Sequence, residues 1–406
     1  MPGEHRIVTD REGPGGRRAS GGRAGGRRRL AGVLAVAALA VGAVAFALRA
    51  GDAPSRIPVV APQARAPAGA TATGPEAPPP RAGTATDPVR VAAVGDVMMG
   101  STDHGLPPDG GAGTFAAVAG LLEGDLVLGN LEGPLTEASG SKCGPESSGC
   151  FAFRTPPAYA AHLAAAGFDV MNLANNHAYD FGPEGLADTL AALRDADIAA
   201  TGTVGAVAVE KVGSTLVATI GFAPYVWADS LLDLDVVRDR VAAAASRADI
   251  VIVTMHAGAE GADARHVRPG EETYLGESRG DVIAFARAAI DAGADLVVGH
   301  GPHVLRGMEF HRDRLIAYSL GNFVGYRAFS LSGSLSMSAV LQVRLAPDGR
   351  FLDGRLRPAR LVGEGRPAPG GGAIAAVRAL SEDDFGARAA RIAPDGAIRP
   401  PGRSRP

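Results

Sequence analysis

Five short polar motifs, each following directly on an apolar strand-like run, constrain this chain more than any other feature. Gly95-Asp96 follows Val91-Ala92-Ala93-Val94, and Asn130-Leu131-Glu132 follows Asp125-Leu126-Val127-Leu128. Asn175-Asn176-His177 follows Asp169-Val170-Met171-Asn172-Leu173, His256 ends the run from Asp249 to Met255, and Gly299-His300-Gly301-Pro302-His303 ends Asp295-Leu296-Val297-Val298. Carboxylates, carboxamides and imidazoles are the donors that hard and borderline metal ions take. One such group at each of five strand ends predicts a single site along one edge of a sheet. That pattern points to a metal-dependent hydrolase rather than to a binding module.

The N-terminus fixes where such a site would work. Residues 1–29 carry eight Arg against three acids among many Gly, a composition that favours a disordered basic tail. Residues 30–48, from Leu30 to Leu48, hold no charge and no strongly polar side chain. Nineteen such residues can cross a hydrocarbon layer of about 30 Å at about 1.5 Å per residue. The Arg cluster in front predicts a cytoplasmic N-terminus and an exported remainder. The run, taken as 30–49, reads as an uncleaved signal anchor; the competing reading is a signal peptide cut after Ala45-Phe46-Ala47, which would release a secreted protein. Its length favours the anchor, and the expected location is the cell membrane, crossed once. This topology accounts for the basic tail, so nothing points to nucleic acid.

Residues 50–88 hold nine prolines and read as a semi-extended linker. From residue 89 short apolar runs alternate with Ala-rich helical stretches, the pattern of an α/β domain. Thr155-Pro156 opens one helix, and Pro183–Asp195, Asp235–Arg247 and Asp281–Ala292 read as three more. Residues 206–220 read as a hairpin turning at Gly213-Ser214. Later strands over 315–319 and 338–345, with a turn at Pro347-Asp348-Gly349, make a mixed two-sheet sandwich a better fit than a purely parallel sheet. The domain is placed at 89–365. Residues 366–406 read as a Gly/Pro/Arg-rich tail with one short helix capped by Ser381.

Within the domain, Asp96, Glu132, Asn176, His256, His300 and His303 are the candidate metal ligands, for one or two divalent ions of which Mn, Zn and Fe are the candidates. Each has an ordinary reading when taken alone: a capping aspartate, a surface glutamate, turn chemistry at Asn176, a core histidine at 256. His300 and His303 are the strongest pair, because Gly299, Gly301 and Pro302 exclude a helix and leave a sharp loop carrying two imidazoles. His177 is the candidate general acid or oxyanion stabiliser, with Asp180 to orient its other ring nitrogen. Arg154 is a candidate clamp for a substrate carboxylate or phosphate, and equally a surface arginine near a helix start. Asp103 and His104 read as solvated loop residues. Cys143 and Cys150, the chain's two cysteines, bracket a short polar loop and fit a disulfide in an oxidising compartment.

The order Gly95-Asp96, Asn130-Leu131-Glu132, Asn175-Asn176-His177 with Asp180, His256, Gly299 to His303, then Tyr318-Ser319-Leu320-Gly321-Asn322-Phe323 resembles the CapA family of capsule-synthesis proteins. The resemblance covers roughly residues 90–330. It implies a metallophosphoesterase-like four-layer αββα sandwich, and a link to poly-γ-glutamate or another anionic envelope polymer. An N-terminal membrane anchor with an outward domain is also the family's usual topology, and other capsule synthesis subunits are candidate partners. Two departures stand out. Met98 occupies the second position after Asp96, where metallophosphoesterases in general carry His, and the segment after His256 lacks the aromatic residues common in the family.

Two functions compete on this reading. One is a membrane-anchored metallohydrolase acting on a phosphoester, amide or ester bond of an envelope polymer. The other is a non-catalytic subunit that uses the same site to bind or export the growing chain. A secreted nucleotidase ranks third.

Overall fold

The computed structural model describes residues 87–144 and 150–402. The basic tail, the apolar run 30–49 and nearly all of the linker expected over 50–88 lie outside the described residues. No helix among the described residues is long and apolar enough to cross a membrane.

The described residues begin with β1 (Val89–Met98), β2 (Leu126–Leu131), helix α1 (Ala160–Ala165), β3 (Val170–Asn172), α2 (Gly182–Asp195) and β4 (Ala199–Thr201). The hairpin β5 (Ala208–Val212) and β6 (Thr215–Ala223) turns at Gly213, whose φ of +60° suits a residue without a side chain. After β7 (Asp229–Ser230) come α3 (Leu234–Ala245), β8 (Ile250–His256), the small hairpin β9 (Glu272–Tyr274) with β10 (Glu277–Gly280), and α4 (Val282–Asp291). Then follow β11 (Leu296–His300), β12 (Met308–His311), β13 (Arg314–Ala317), β14 (Asn322–Gly325), β15 (Met337–Leu345) and β16 (Phe351–Val362). The chain closes with β17 (Arg366–Pro369), α5 (Ala373–Phe385), β18 (Arg391–Ile392) and β19 (Ala397–Arg399).

Among the described residues two large sheets result, both mixed, beside the two-stranded β9–β10 ribbon. One runs β18-β19-β16-β15-β1-β2-β3-β4, with β14 also beside β1 and β17 beside β16; the other runs β12-β13-β11-β8-β6-β5, with β7 beside β6. Strands β1 to β4 are parallel to one another, as are β6, β8, β11 and β13. The inner strands β1, β8 and β11 are continuous apolar runs because both of their faces are covered. Val91, Leu126, Val170, Ile252, Leu296 and Leu341 meet in one core that joins the facing sides of the two sheets. Val237, Val241, Phe285 and Ala289 of α3 and α4 pack on the other side of the second sheet. Leu163 and Leu193 of α1 and α2 do the same for the first. Helix α3 starts at Asp233, whose carboxylate accepts from the amides of Asp235 and Val236, and α4 starts at Asp281, which accepts from Ala284.

The C-terminal segment departs from the expected tail, and the domain does not stop at 365. Strand β17 pairs with β16, β19 pairs with β16 and β18 with β19, while Ala373, Val377, Ile392 and Ile398 are buried in the inter-sheet core. Ser381 is not a cap either. It lies within α5, where its hydroxyl donates to Val377 O (2.6 Å) and accepts from Met308 N (2.8 Å). The alanine-rich residues 373–380 are themselves helical, so the helix begins a full two turns earlier than the serine suggested.

Candidate metal centre

Strand register brings the motifs level. Asp96 pairs with Asn130 across β1 and β2, Asn130 with Asn172 across β2 and β3, and Asp96 with Asn322 across β1 and β14. In the other sheet His300 pairs with His256. Parallel strands end together, so their C-terminal residues collect along one edge. The backbones also approach closely there: a Cβ on Gly95 would lie 1.8 Å from Gly321 O, and Asp96 N donates to that same carbonyl at 2.9 Å.

Asp96, Glu132 and His303 form the centre, each offering an atom within 4.8 Å of the others. His303 Nδ1 is 3.2 Å from Asp96 Oδ2, and its Nε2 is 3.5 Å from Glu132 Oε1 and 3.7 Å from Glu260 Oε2. His256 Nε2 lies 3.7 Å from Glu132 Oε1. His303 holds φ at +60°, a left-handed conformation that costs an ordinary residue about 1–2 kcal/mol. Such strain persists where the surroundings impose it, and here Asn322 does so by accepting from Nδ1 through Oδ1 (2.9 Å) and donating to His303 O (3.1 Å).

The same residues carry buried polar atoms with no hydrogen-bond partner. Asp96 Oδ2, both Glu132 carboxylate oxygens, Asn176 Oδ1, His256 Nε2 and His300 Nδ1 are buried without a hydrogen-bond partner. Buried polar atoms are ordinarily paired, and orphans of this one kind in five of the six candidate ligands fit a divalent cation. His300 is set for it: Nε2 donates to Val94 O (3.0 Å), which leaves Nδ1 as the lone-pair nitrogen. His303, the sixth, has its Nε2 facing the carboxylates.

Electrostatics agree with a cation-seeking site. Burial opposes charge on Asp96, yet the close approach of His303, with His300 and His256 behind, holds its carboxyl at about 2. Burial dominates at Glu132 and, with Asp96 and Glu260 nearby, pushes its carboxyl well up. Burial lowers His256 and His300. At His303 burial is outweighed by Glu132, Asp96 and Glu260, which raise the imidazole to about 10.

His177 and Asp180 stand as a pair: Nδ1 lies 2.8 Å from Asp180 Oδ2, which also accepts from Phe153 N at 2.8 Å. Lys142 Nζ is 2.6 Å from Asp180 Oδ1, Lys142 N donates to Asp180 O (2.7 Å), and Nζ donates to Asn176 O (3.1 Å). The next residue, Cys143, is joined to Cys150 by a disulfide. Burial lowers the His177 imidazole against the raising influence of Asp180. Arg154 is engaged elsewhere. Its guanidinium pairs with Asp103 (3.1 Å), donates to the carbonyls of Glu137 and Ala138, and lies 4.8 Å above the Phe181 ring. Asp103 is therefore a partner of Arg154 and not simply a solvated loop residue.

Sequence reasoning missed several contributors. Asn130 Nδ2 donates to Asp96 Oδ1 (2.9 Å) and lies 3.3 Å from His256 Nδ1, while its Oδ1 accepts from Asn172 (2.8 Å) and Asn175 (3.1 Å). Both Asn130 and Asn322 sit inside quoted motifs, so their residue type was a signal. Lys142 and Glu260 gave none, since a lone lysine or glutamate in a loop is ordinary.

Comparison with known proteins follows the same residues. A profile described as bacterial capsule synthesis protein PGA_cap matches residues 90–327. The chain belongs to the PGA_cap family. The PGA biosynthesis protein CapA of Bacillus subtilis is 31% identical over 303 residues, covering 70% of this chain and 74% of that protein. The capsule biosynthesis protein CapA of Bacillus anthracis is 32% identical over 204 residues, 45% of this chain and 46% of that one. A probable polyglutamine synthesis accessory protein of Mycobacterium tuberculosis is 34% identical over 233 residues, 49% and 55% of the two chains. Among solved structures, a hypothetical protein from Thermus thermophilus overlays with a TM-score of 0.40 at 18% identity, covering 66% of this chain and 98% of that one. The NAD nucleotidase of Haemophilus influenzae gives 0.38 at 14%, covering 71% and 54%. Overlays this shallow carry no argument about chemistry. The PGA_cap match contains all six candidate ligands with His177 and Asp180, whereas β15 to β19 lie beyond it.

Proposed function

We propose that this PGA_cap protein is a membrane-anchored, extracytoplasmic, metal-dependent hydrolase that acts in making or remodelling an anionic envelope polymer, poly-γ-glutamate foremost. The names of its Bacillus relatives, a PGA biosynthesis protein and a capsule biosynthesis protein, support the polymer, and the two-sheet architecture supports a metallophosphoesterase-like αββα reading of the fold. The observation that carries the chemistry is the orphaned acceptor set beside an oriented His177–Asp180 pair.

A divalent ion on Asp96, Glu132, Asn176, His256, His300 and His303 would supply Lewis acidity at the scissile bond and make water a nucleophile near neutral pH. The chain's own residues do the rest. Asn130 holds Asp96 in its rotamer and meets His256; Asn322 fixes His303. Asp180 holds His177 by Nδ1, so Nε2 is the atom that gives a proton to the leaving group. Lys142 and Phe153 N in turn hold Asp180.

Met98 favours a second reading, a non-catalytic polymer-binding or export subunit. It is buried, its sulfur accepts from Gly100 N (3.3 Å), and it offers no hard ligand where an imidazole would complete a two-ion site. His177→Ala separates the two. A hydrolase should lose about 10²–10⁴-fold in turnover on γ-glutamyl oligomers while keeping its metal. Unchanged capsule output from a strain carrying only the variant would favour the binding subunit.

A further inference from the structure

The metal centre collects acceptors without donors; next to it the fold collects donors without acceptors. Arg279, in β10, is 3% exposed, and its Nε has no hydrogen-bond partner. Its charge is held by ion pairs, with Nη1 2.8 Å from Glu260 Oε1 and Nη2 3.4 Å from Glu277 Oε2. The Tyr225 hydroxyl, on the loop after β6, is likewise buried and unpartnered. The guanidinium carbon lies 5.7 Å from the Tyr225 ring centroid and 5.5 Å from that of Tyr274.

Glu260 connects the two sets, since its Oε1 meets Arg279 and its Oε2 lies 3.7 Å from His303 Nε2. The Tyr225 phenol feels the charges of Arg279, Glu260, Glu277 and Glu132, and burial raises it far enough that it remains a hydroxyl donor. An aromatic ladder makes the arrangement rigid. Tyr225 stacks on Trp227 (5.0 Å, 7°), Trp227 stacks on Tyr179 (5.1 Å, 10°), and Trp227 Nε1 donates to Asn175 O (3.0 Å). Tyr179 sits between His177 and Asp180 in the chain.

Unpaired buried donors are costly, and two of them on rigid, adjacent side chains imply a ligand with acceptor oxygens. Glu277 is 60% exposed, so water screens its claim on Arg279. Glu260 is shared with His303, whose Nε2 lies 3.7 Å from its Oε2. Neither gives Nε or the Tyr225 hydroxyl a hydrogen bond.

We propose that Arg279 and Tyr225 form an anion pocket that takes one carboxylate or phosphoryl group of the substrate and so sets the polymer's position against the metal ligands. Poly-γ-glutamate offers one free α-carboxylate per residue, which suits a guanidinium paired with a hydroxyl. The role in catalysis rests on the hydrolase reading; the binding of an anion does not.

The test is calorimetric titration of the metal-loaded full chain with inorganic phosphate and with a γ-glutamyl tripeptide, in the parent, Arg279→Gln and Tyr225→Phe. Tyr225→Phe removes a hydroxyl that bonds nothing, so it should fold, melt no lower than the parent and keep its metal, even if Arg279→Gln does not fold. Each folded variant should bind both probes about tenfold or more weakly, the usual scale for a hydrogen bond to a charged group. Phosphate binding with that dependence but no tripeptide binding would uphold the pocket and sink the poly-γ-glutamate reading. Parent-like affinity of Tyr225→Phe for both probes, or a parent that binds neither, overturns the proposal.

Discussion

Neighbouring asparagines do different jobs in the Asn175-Asn176-His177 motif. Asn175 is structural: its Nδ2 donates to Asn130 Oδ1 and Leu131 O, and its Oδ1 accepts from the amides of His177 and Ala178. That turn aims the Asn176 side chain inward, where Oδ1 stays buried and unpaired. His177 follows with a proton affinity lowered by burial and partly restored by Asp180. An acid of this kind is protonated only below the ordinary histidine value of 6.5, so turnover that needs it falls as pH rises through that lower range. Asp180→Asn removes the raising charge. The limb in a kcat–pH profile should then move to lower pH and the plateau should drop; an unmoved limb would assign it to another group. At this scale the residues that bear lone pairs were legible, because few groups can serve as ligands. Those that orient them, Lys142 above all, were not, because their role depends on which loops the fold brings together.

Each strand end contributes one motif because the strands are parallel and in register, and two features of the elements keep it so. The first is close backbone approach at Gly95, where a side chain would collide with Gly321 O. Gly95→Ala should push β1 from the 320–322 turn and displace Asp96, so metal affinity should fall well beyond the loss in melting temperature. Equal affinity in the variant would show that the strand end tolerates the shift. The second is the loop that ends in Lys142. The disulfide from Cys143 closes a loop with a sequence separation of 7, worth roughly 2–3 kcal/mol by the chain-entropy model. Reduction with dithiothreitol should lower the urea midpoint accordingly. It should also weaken turnover through the Lys142–Asp180 pair, without releasing metal. The hairpin, the helices and their approximate ends could be read from sequence, since apolar period and capping chemistry are local. The level alignment of His256 with His300, or of Asp96 with Asn322, could not, because register is set by packing between distant segments.

Over the whole domain the least legible part was the last. Strands β17, β18 and β19 are two to four residues long and rich in Arg, Pro or Ala, so they resemble a tail; Ala373, Val377, Ile392 and Ile398 in the inter-sheet core show otherwise. Arg388 also meets the buried Glu309 carboxylate, at 3.0 Å, which ties this segment to β12. A fragment ending at residue 365 should therefore aggregate or lack a cooperative melt, while one ending at 402 should show one; a cooperative melt from the shorter fragment would mean the C-terminal strands are dispensable. The central claim is the metal centre, and it is tested most directly by metal analysis of the purified full chain beside a His256→Ala/His300→Ala double variant. Stoichiometric Mn, Zn or Fe in the parent and its loss in the folded variant is the expected result. A parent that stays free of metal after reloading with each of these ions would contradict it.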